Sequence, residues 1–331
     1  MIEILIYEVT YQRVQEEFES RVNQVRPLIF TQKGEILREG ETVPAESVQP
    51  EIAWASSDLY VGEDSPTREF MIYVLKSESI RWLQSGAAGF EHPVFGMLVD
   101  KGIRLTNNNA SSIAIAEYVL SGVLNHYHSN QKRRENQHNR MWQRLGFREI
   151  YGTTWLIIGL GNIGTEVSRR AQAFGAHTIG VKRTLTGNEQ ADTVIQMKDL
   201  FAYLSKADVV VLSVPLNEET EKLVNKEFLR QMKGDSILVN IGRGPLVDED
   251  ALVLSLDKGQ PELAILDVFS TEPLPSDSLL WSHPRVHMTS HFAGSGSGSN
   301  RRGDNVFFDN LDRYLAKQPL QMEVDKSDFK T

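Results

Sequence analysis

Thr154-Trp155-Leu156-Ile157-Ile158 runs directly into Gly159-Leu160-Gly161-Asn162-Ile163-Gly164. The uncharged opening, rich in β-branched and aromatic side chains, predicts a buried strand, and the stretch that follows to about Phe174 predicts a helix. A GxGxxG set between a strand and a helix carries a physical meaning that the bare pattern lacks. Gly159 permits the tight turn, Gly161 removes a side chain where backbone amides approach a pyrophosphate, and Gly164 lets the helix pack closely on the strand. The opening of the helix, at Asn162 and Ile163, adds partial positive charge that favours an anion. In this setting the run predicts a dinucleotide site rather than an idle glycine-rich turn.

Downstream, apolar runs recur at Thr178 to Val181, Val209 to Val214, Ile237 to Ile241, Leu263 to Val268 and Val286 to Thr289, separated by helix-compatible stretches. Near-continuous apolar strands alternating with helices predict a parallel sheet covered on both faces. Upstream, the runs Ile4 to Tyr7, Leu28 to Phe30, Ile52 to Ala55, Ile72 to Leu75, Trp82 to Leu83 and Ile103 to Thr106 alternate with polar stretches, which predicts α/β layering. Between the two halves, Ile113, Ala116, Glu117, Leu120 and Leu124 fall at helical spacing, so one long helix is expected from Ser111 to about Arg144. After the flexible connection Ala293 to Ser299, a last helix is expected over about Arg302 to Ala316. A chain of 331 residues exceeds what one core usually supports, and two domains are the default.

Composition narrows the function classes. A formal charge of -9 disfavours phosphate backbones and anionic lipid, so neither nucleic acid nor a membrane is expected as a partner. The basic stretch Lys132, Arg133, Arg134 is short and reads as a solvated helix face. With no cysteine, disulfides, thiol nucleophiles and cysteine-ligated metals are excluded. His126 and His128, two apart on a helix, point to different faces, so no metal site is expected; His283 and His287 read as structural. The acidic opening Met1 to Thr10 does not resemble a secretory leader, and no apolar run is long enough to span a bilayer, so a cytoplasmic location is expected.

Two groups of polar residues carry chemistry. About twenty residues beyond the glycines, where an NAD site normally places an acid, stand Lys182-Arg183-Thr184; two cations and a hydroxyl suit the 2′-phosphate of NADP, so NADP is preferred over NAD as cofactor. Farther on, Arg243, Glu272 and His291 each follow a different strand. In an open parallel sheet all strand C-termini lie along one edge, where ligands bind, so these residues can converge there. Reduction of a 2-keto acid requires hydride at the carbonyl carbon, a proton for its oxygen and a cation for the anionic substrate. His291 is suited to the proton, because a carboxylate such as Glu272 favours the charged ring and fixes its tautomer. Arg243 offers a planar fork of donors for a carboxylate and a keto oxygen. Taken singly, each has a structural explanation; together on three strands, the functional reading is the better one.

These segments resemble the D-isomer-specific 2-hydroxyacid dehydrogenases, a family that includes phosphoglycerate dehydrogenases and glyoxylate/hydroxypyruvate reductases. The resemblance is carried by Gly159 to Gly164 with Ala173-Phe174-Gly175, Val214-Pro215-Leu216 with Thr220, Val239 to Glu249, Leu266-Asp267-Val268-Phe269, Glu272 to Pro275, and Thr289-Ser290-His291. It implies a Rossmann cofactor domain, residues 103–293, inserted into a flavodoxin-like substrate domain, residues 1–102 and 294–331, both doubly wound parallel-sheet α/β units. It further implies hydride transfer between NAD(P)H and a small 2-keto acid or D-2-hydroxy acid, Arg243 as substrate clamp and His291 with Glu272 as acid–base pair. Asp267 is implied to contact the nicotinamide amide, Val214, Pro215, Thr220, Ile241 and Gly242 to line the cofactor, and the chain to form a homodimer. Gln84 to His92 is similar to the family's substrate loop, whose amides nearest Ala88 and Gly89 would hold the carboxylate, with His92 placed to touch the ligand. Glu117 matches a position of structural or positioning role. The sequence departs from the pattern at Ser290 for a frequent proline, Glu91 for aspartate and Lys182 for an acid. A phosphite-type dehydrogenase on the same scaffold, and a dinucleotide-sensing regulator without turnover, are the rival functions.

Overall fold

The computed structural model describes residues 1–62, 64–87, 89–90, 92–185 and 187–325. The chain divides into two compact units, 1–110 with the segment from 297 onward, and 111–296. The sequence reading puts the crossings at 102/103 and 293/294. The first lies later because Arg104–Thr106 is a strand that pairs with Trp82–Ser85 of the first sheet. The segment after it is held by the same unit, through Asn107 N–H to the Met322 carbonyl at 3.0 Å and Arg302 Nε to the Ala110 carbonyl at 2.8 Å.

In chain order the first unit contains β1 (Ile2–Tyr7), α1 (Glu8–Glu19), β2 (Val25–Phe30), β3 (Ile36–Arg38), β4 (Glu41–Val43) and β5 (Ile52–Ala55). It continues with α2 (Thr67–Lys76), β6 (Trp82–Ser85), α3 (Pro93–Asp100) and β7 (Arg104–Thr106). The sheet order is β4-β3-β2-β1-β5-β6-β7. β2, β1, β5, β6 and β7 are parallel, in the flavodoxin-like order, while β3 and β4 add an antiparallel pair outside β2. That pair is absent from the sequence reading, because strands of three residues are too short to show a period.

The second unit contains α4 (Ser112–Tyr127), α5 (Asn130–His138), β8 (Thr154–Ile158), α6 (Asn162–Ala173), β9 (His177–Val181) and β10 (Thr193–Ile195). There follow α7 (Phe201–Leu204), β11 (Val209–Leu212), α8 (Lys226–Gln231), β12 (Ile237–Asn240), α9 (Glu249–Leu256), β13 (Leu263–Leu266) and β14 (Val286–Met288). The order β10-β9-β8-β11-β12-β13-β14, all parallel, is the Rossmann arrangement extended by one strand. Both faces are dry: Leu156, Val210 and Leu238 pack on one side of the sheet, Ile157, Val211 and Val239 on the other. This explains why these strands read as unbroken apolar runs.

The single long helix expected from Ser111 is two helices. Ser129 takes a left-handed conformation (φ 50°) after α4 ends, and Arg133 braces the break by donating to the carbonyls of His128 and Leu145 at 2.6 and 2.8 Å. Among the described residues no helix is long and apolar enough to cross a membrane.

The last helix, α10 (Ser299–Leu315), returns to the first unit and closes its core. Phe307, fully buried, stacks on Trp54 with ring centroids 3.8 Å apart and lies 5.6 Å from the Trp82 ring. Arg13 fixes the same helix through a two-pronged contact with Asp304 at 2.8 and 2.9 Å. Removing a buried aromatic ring costs its transfer energy and leaves a cavity, so Phe307→Ala is expected to destabilise the first unit by about 3–5 kcal/mol. Urea unfolding followed by tryptophan fluorescence measures this; a loss below about 1 kcal/mol would show that α10 is not an integral part of that core.

Candidate active site

The glycine loop leaves β8 at the point where the sheet order reverses, between β8 and β11. Gly159 has φ 97°, and a Cβ there would fall 2.5 Å from the Ser213 carbonyl oxygen. A Cβ on Gly164 would fall 2.0 Å from the Gly159 carbonyl oxygen, so only glycine lets α6 start this close to the strand. The loop is pinned from two neighbouring strand ends: the amides of Gly159 and Leu160 donate to the Val181 carbonyl at 3.1 and 3.2 Å, and Ser213 Oγ donates to the Gly159 carbonyl at 2.6 Å. Gly161 differs from both. A Cβ there meets nothing within 4 Å, so the space it faces is open. It caps α6 without a side-chain hydrogen bond, and the first amides of a helix have no acceptor within the helix. Bare first-turn amides at Asn162 to Gly164 beside open space fit a pyrophosphate. Ser213 was not singled out from sequence; its one signal is a hydroxyl at the end of a valine-rich run.

At the end of β9 the structure alters the reading of Lys182. Its Nζ lies 3.6 Å from Glu189 Oε1, and that carboxylate, with a side chain only 6% exposed, also accepts from the Gly187 amide at 2.9 Å. An acid is therefore present near this strand end, delivered by the following loop and not by the strand itself. Arg183 and Thr184 are exposed. Val214 and Pro215 begin the loop after β11, where Thr220 Oγ1 donates to the Pro215 carbonyl at 2.8 Å and accepts from the Asn217 amide at 2.9 Å. Its hydroxyl shapes the loop. Gly242 packs against it, a Cβ there falling 3.1 Å from the Val214 carbonyl oxygen, and Ile241 is buried.

β12, β13 and β14 are neighbours, and their C-terminal turns meet. Buried Asn240 holds the Arg243 turn from inside, its amide nitrogen donating to the Arg243 carbonyl at 2.9 Å and its oxygen accepting from the Gly242 amide at 3.1 Å. The next residue, Gly244, lies so near the backbone of Phe269 that a Cβ would fall 1.8 Å from its carbonyl carbon. The Phe269 amide donates to Glu272 Oε1 at 2.9 Å, and Glu272 Oε2 lies 2.8 Å from His291 Nδ1. Thus one carboxylate is oriented through one oxygen and engages the imidazole through the other. The ring stays accessible, 53% exposed, with Glu272 at 36%. Arg243 Nη1 donates to its neighbouring Gly242 carbonyl at 2.8 Å.

Asp267 is buried, and its carboxylate receives the amides of Phe292 and Ala293 at 2.8 and 3.0 Å and the hydroxyl of Thr289 at 2.6 Å. It is the clamp of the turn that carries His291, a role the sequence did not disclose. In the first unit, Gly89 and His92 lie in the loop between β6 and α3; Ala88 and Glu91 fall outside the described residues. His92 caps α3, its Nδ1 accepting from the Val94 amide at 3.2 Å. Among the described residues no group of three histidine, aspartate or glutamate side chains is placed to hold a metal ion.

Residues 120–293 match the family model of the D-isomer specific 2-hydroxyacid dehydrogenase NAD binding domain. The chain is 34% identical over 236 residues to glyoxylate reductase of Pyrococcus horikoshii, covering 68% of this chain and 70% of that protein. It is 31% identical over 244 residues to D-3-phosphoglycerate dehydrogenase of Methanocaldococcus jannaschii, covering 72% of this chain but only 46% of that longer protein, so it spans about half of that relative. Across 98% of its length it resembles the crystal structure of a D-isomer specific 2-hydroxyacid dehydrogenase family protein from Aeromonas salmonicida, of which 99% is covered, with a TM-score of 0.80 at 27% identity. With a Rossmann sheet, a glycine loop at its switch point and this match across more than half its length, the chain belongs to the D-isomer specific 2-hydroxyacid dehydrogenase family.

Proposed function

We propose that the chain interconverts a small 2-keto acid and its D-2-hydroxy acid, with Arg243, Glu272 and His291 as the reacting groups of the second unit. The observation that carries this reading is the 2.8 Å contact between His291 Nδ1 and Glu272 Oε2. A carboxylate at Nδ1 makes that nitrogen the donor, orients the ring and leaves Nε2 as the atom that exchanges a proton with substrate. The dinucleotide, when bound, supplies or accepts the hydride. In reduction, His291 delivers the proton from Nε2 to the carbonyl oxygen as the carbonyl carbon gains hydride, and the positive charge so lost is restored from solvent. Glu272 holds the ring in orientation through Nδ1 during the transfer. Arg243 holds the substrate carboxylate and draws electron density towards the keto oxygen. The glyoxylate reductase similarity supports a compact substrate of the glyoxylate or hydroxypyruvate type.

For the dinucleotide we favour NADP(H). Lys182, Arg183 and Thr184 cluster at the end of β9, and Arg183 and Thr184 are exposed there. The Glu189 carboxylate offsets part of the Lys182 charge, so Arg183 carries more of the attraction for a 2′-phosphate.

NAD(P)H oxidation followed at 340 nm against glyoxylate, hydroxypyruvate, pyruvate and bulkier 2-keto acids tests the activity; dinucleotide binding with no turnover on any of them would leave a sensing role instead. His291→Ala should lower kcat by about 10²–10⁴-fold and Arg243→Ala should lower kcat/KM by at least about a hundredfold, both with dinucleotide affinity retained. Neutralising both Lys182 and Arg183 to Ala should weaken NADPH at least about tenfold, about 1.4 kcal/mol, and NADH much less; an equal loss for both cofactors would remove the 2′-phosphate assignment. The glycines separate packing from binding. Gly161→Ala should change the melting temperature little and weaken dinucleotide binding, whereas Gly164→Ala, with no room for a methyl, should destabilise the ligand-free protein. Melting curves with and without NADPH read both effects.

A further inference from the structure

His291 sits in a left-handed backbone conformation (φ 52°), one that a residue with a side chain rarely adopts without support. Ser290 before it places no restriction on φ of the kind a proline ring would impose. The support comes instead from hydrogen bonds. The His291 amide donates to the Asp267 carbonyl at 2.7 Å, and the Asp267 carboxylate receives the amides of Phe292 and Ala293. Behind this carboxylate stands a second polar pair. Thr289 Oγ1 lies 2.6 Å from Asp267 Oδ1 and 2.8 Å from the Tyr118 hydroxyl of α4.

The Thr289 hydroxyl is the donor in both contacts, to the Asp267 carboxylate at 2.6 Å and to the Tyr118 phenol oxygen at 2.8 Å, so Tyr118 and Asp267 hold it from two sides. Burial pushes the Tyr118 pKa up to about 12, so the phenol keeps its proton throughout the physiological range.

We propose that Tyr118 is a positioning residue for the acid–base pair: through Thr289 and Asp267 it fixes the turn that aims the His291 ring at Glu272. This rests on the reading of His291 as the proton donor. It assigns a role to a tyrosine on α4 that touches neither His291 nor Glu272 among the contacts described.

Tyr118→Phe retains the ring and removes the hydroxyl that Thr289 engages; Thr289→Val removes both bonds while keeping the side chain's size; Thr289→Ser restores the hydroxyl. In the full-length protein, Tyr118→Phe is expected to lower kcat about three- to tenfold and Thr289→Val further, with KM values for NADPH and the keto acid within about twofold of wild type and Thr289→Ser close to wild type. A loosened turn also weakens the Glu272 contact, so the Nδ1–H signal of His291 in imidazole ¹⁵N spectra, identified by its loss in His291→Ala, should broaden or shift in Tyr118→Phe. Unchanged kcat and an unchanged His291 signal in both Tyr118→Phe and Thr289→Val would overturn the proposal. Wild-type protein that turns over no 2-keto acid, yet whose His291 signal responds to Tyr118→Phe, would retain the positioning device and discard the catalytic reading.

Discussion

The backbone of Gly244 rests on the backbone of Phe269 with no space for a side chain between them. That contact joins the turn after β12 to the turn after β13, and the arrangement around His291 is built outward from it. Phe269 offers its amide to Glu272, Glu272 meets the imidazole, and the imidazole stands on a turn gripped by Asp267 at the end of β13. Parallel register makes this possible: β12, β13 and β14 end at one edge, Asn240 level with Leu266 and Leu266 level with Met288. Residues far apart in sequence therefore need only short turns to meet.

The energetics of the His291 turn favour order. A left-handed conformation for a residue with a side chain costs on the order of 1–3 kcal/mol. Hydrogen bonds to a charged group contribute roughly 1.5–3 kcal/mol each, and Asp267 accepts from two amides and one hydroxyl, so the strain is outweighed. The accessible ring of His291 thus projects from a rigid base. Glu272, 36% exposed, is held by a backbone amide and not by a flexible partner, which keeps its second oxygen directed at the ring.

Much of this was legible in the sequence because parallel sheets buried on both faces leave a strong mark. Every residue of β11, β12 and β13 is buried, and each appeared as an apolar run. The glycine loop was legible because its three glycines each answer a separate steric demand, two of contact and one of openness. What escaped notice depended on contacts between distant residues. Glu189 reaches Lys182 from a loop, Ser213 reaches Gly159 across strands, and Tyr118 reaches Thr289 from a helix, and no local period encodes any of these. The break at Ser129 was hidden for a different reason: it interrupts a stretch whose residues remain acceptable in a helix on either side. The family resemblance implies a ligand contact for Asp267, and the geometry shows a mechanical duty for the same buried side chain.

The first unit is written in two pieces, with the whole of the second between them. Phe307 and Phe308, which complete the aromatic cluster around Trp54, emerge from the ribosome only after residues 111–296 have been made. All strands of the Rossmann sheet are therefore made while the first unit still lacks that aromatic wall. The nascent first sheet, meanwhile, must keep Trp54 and Trp82 from straying into foreign partners until α10 arrives, a period in which an assisting chaperone has most to protect.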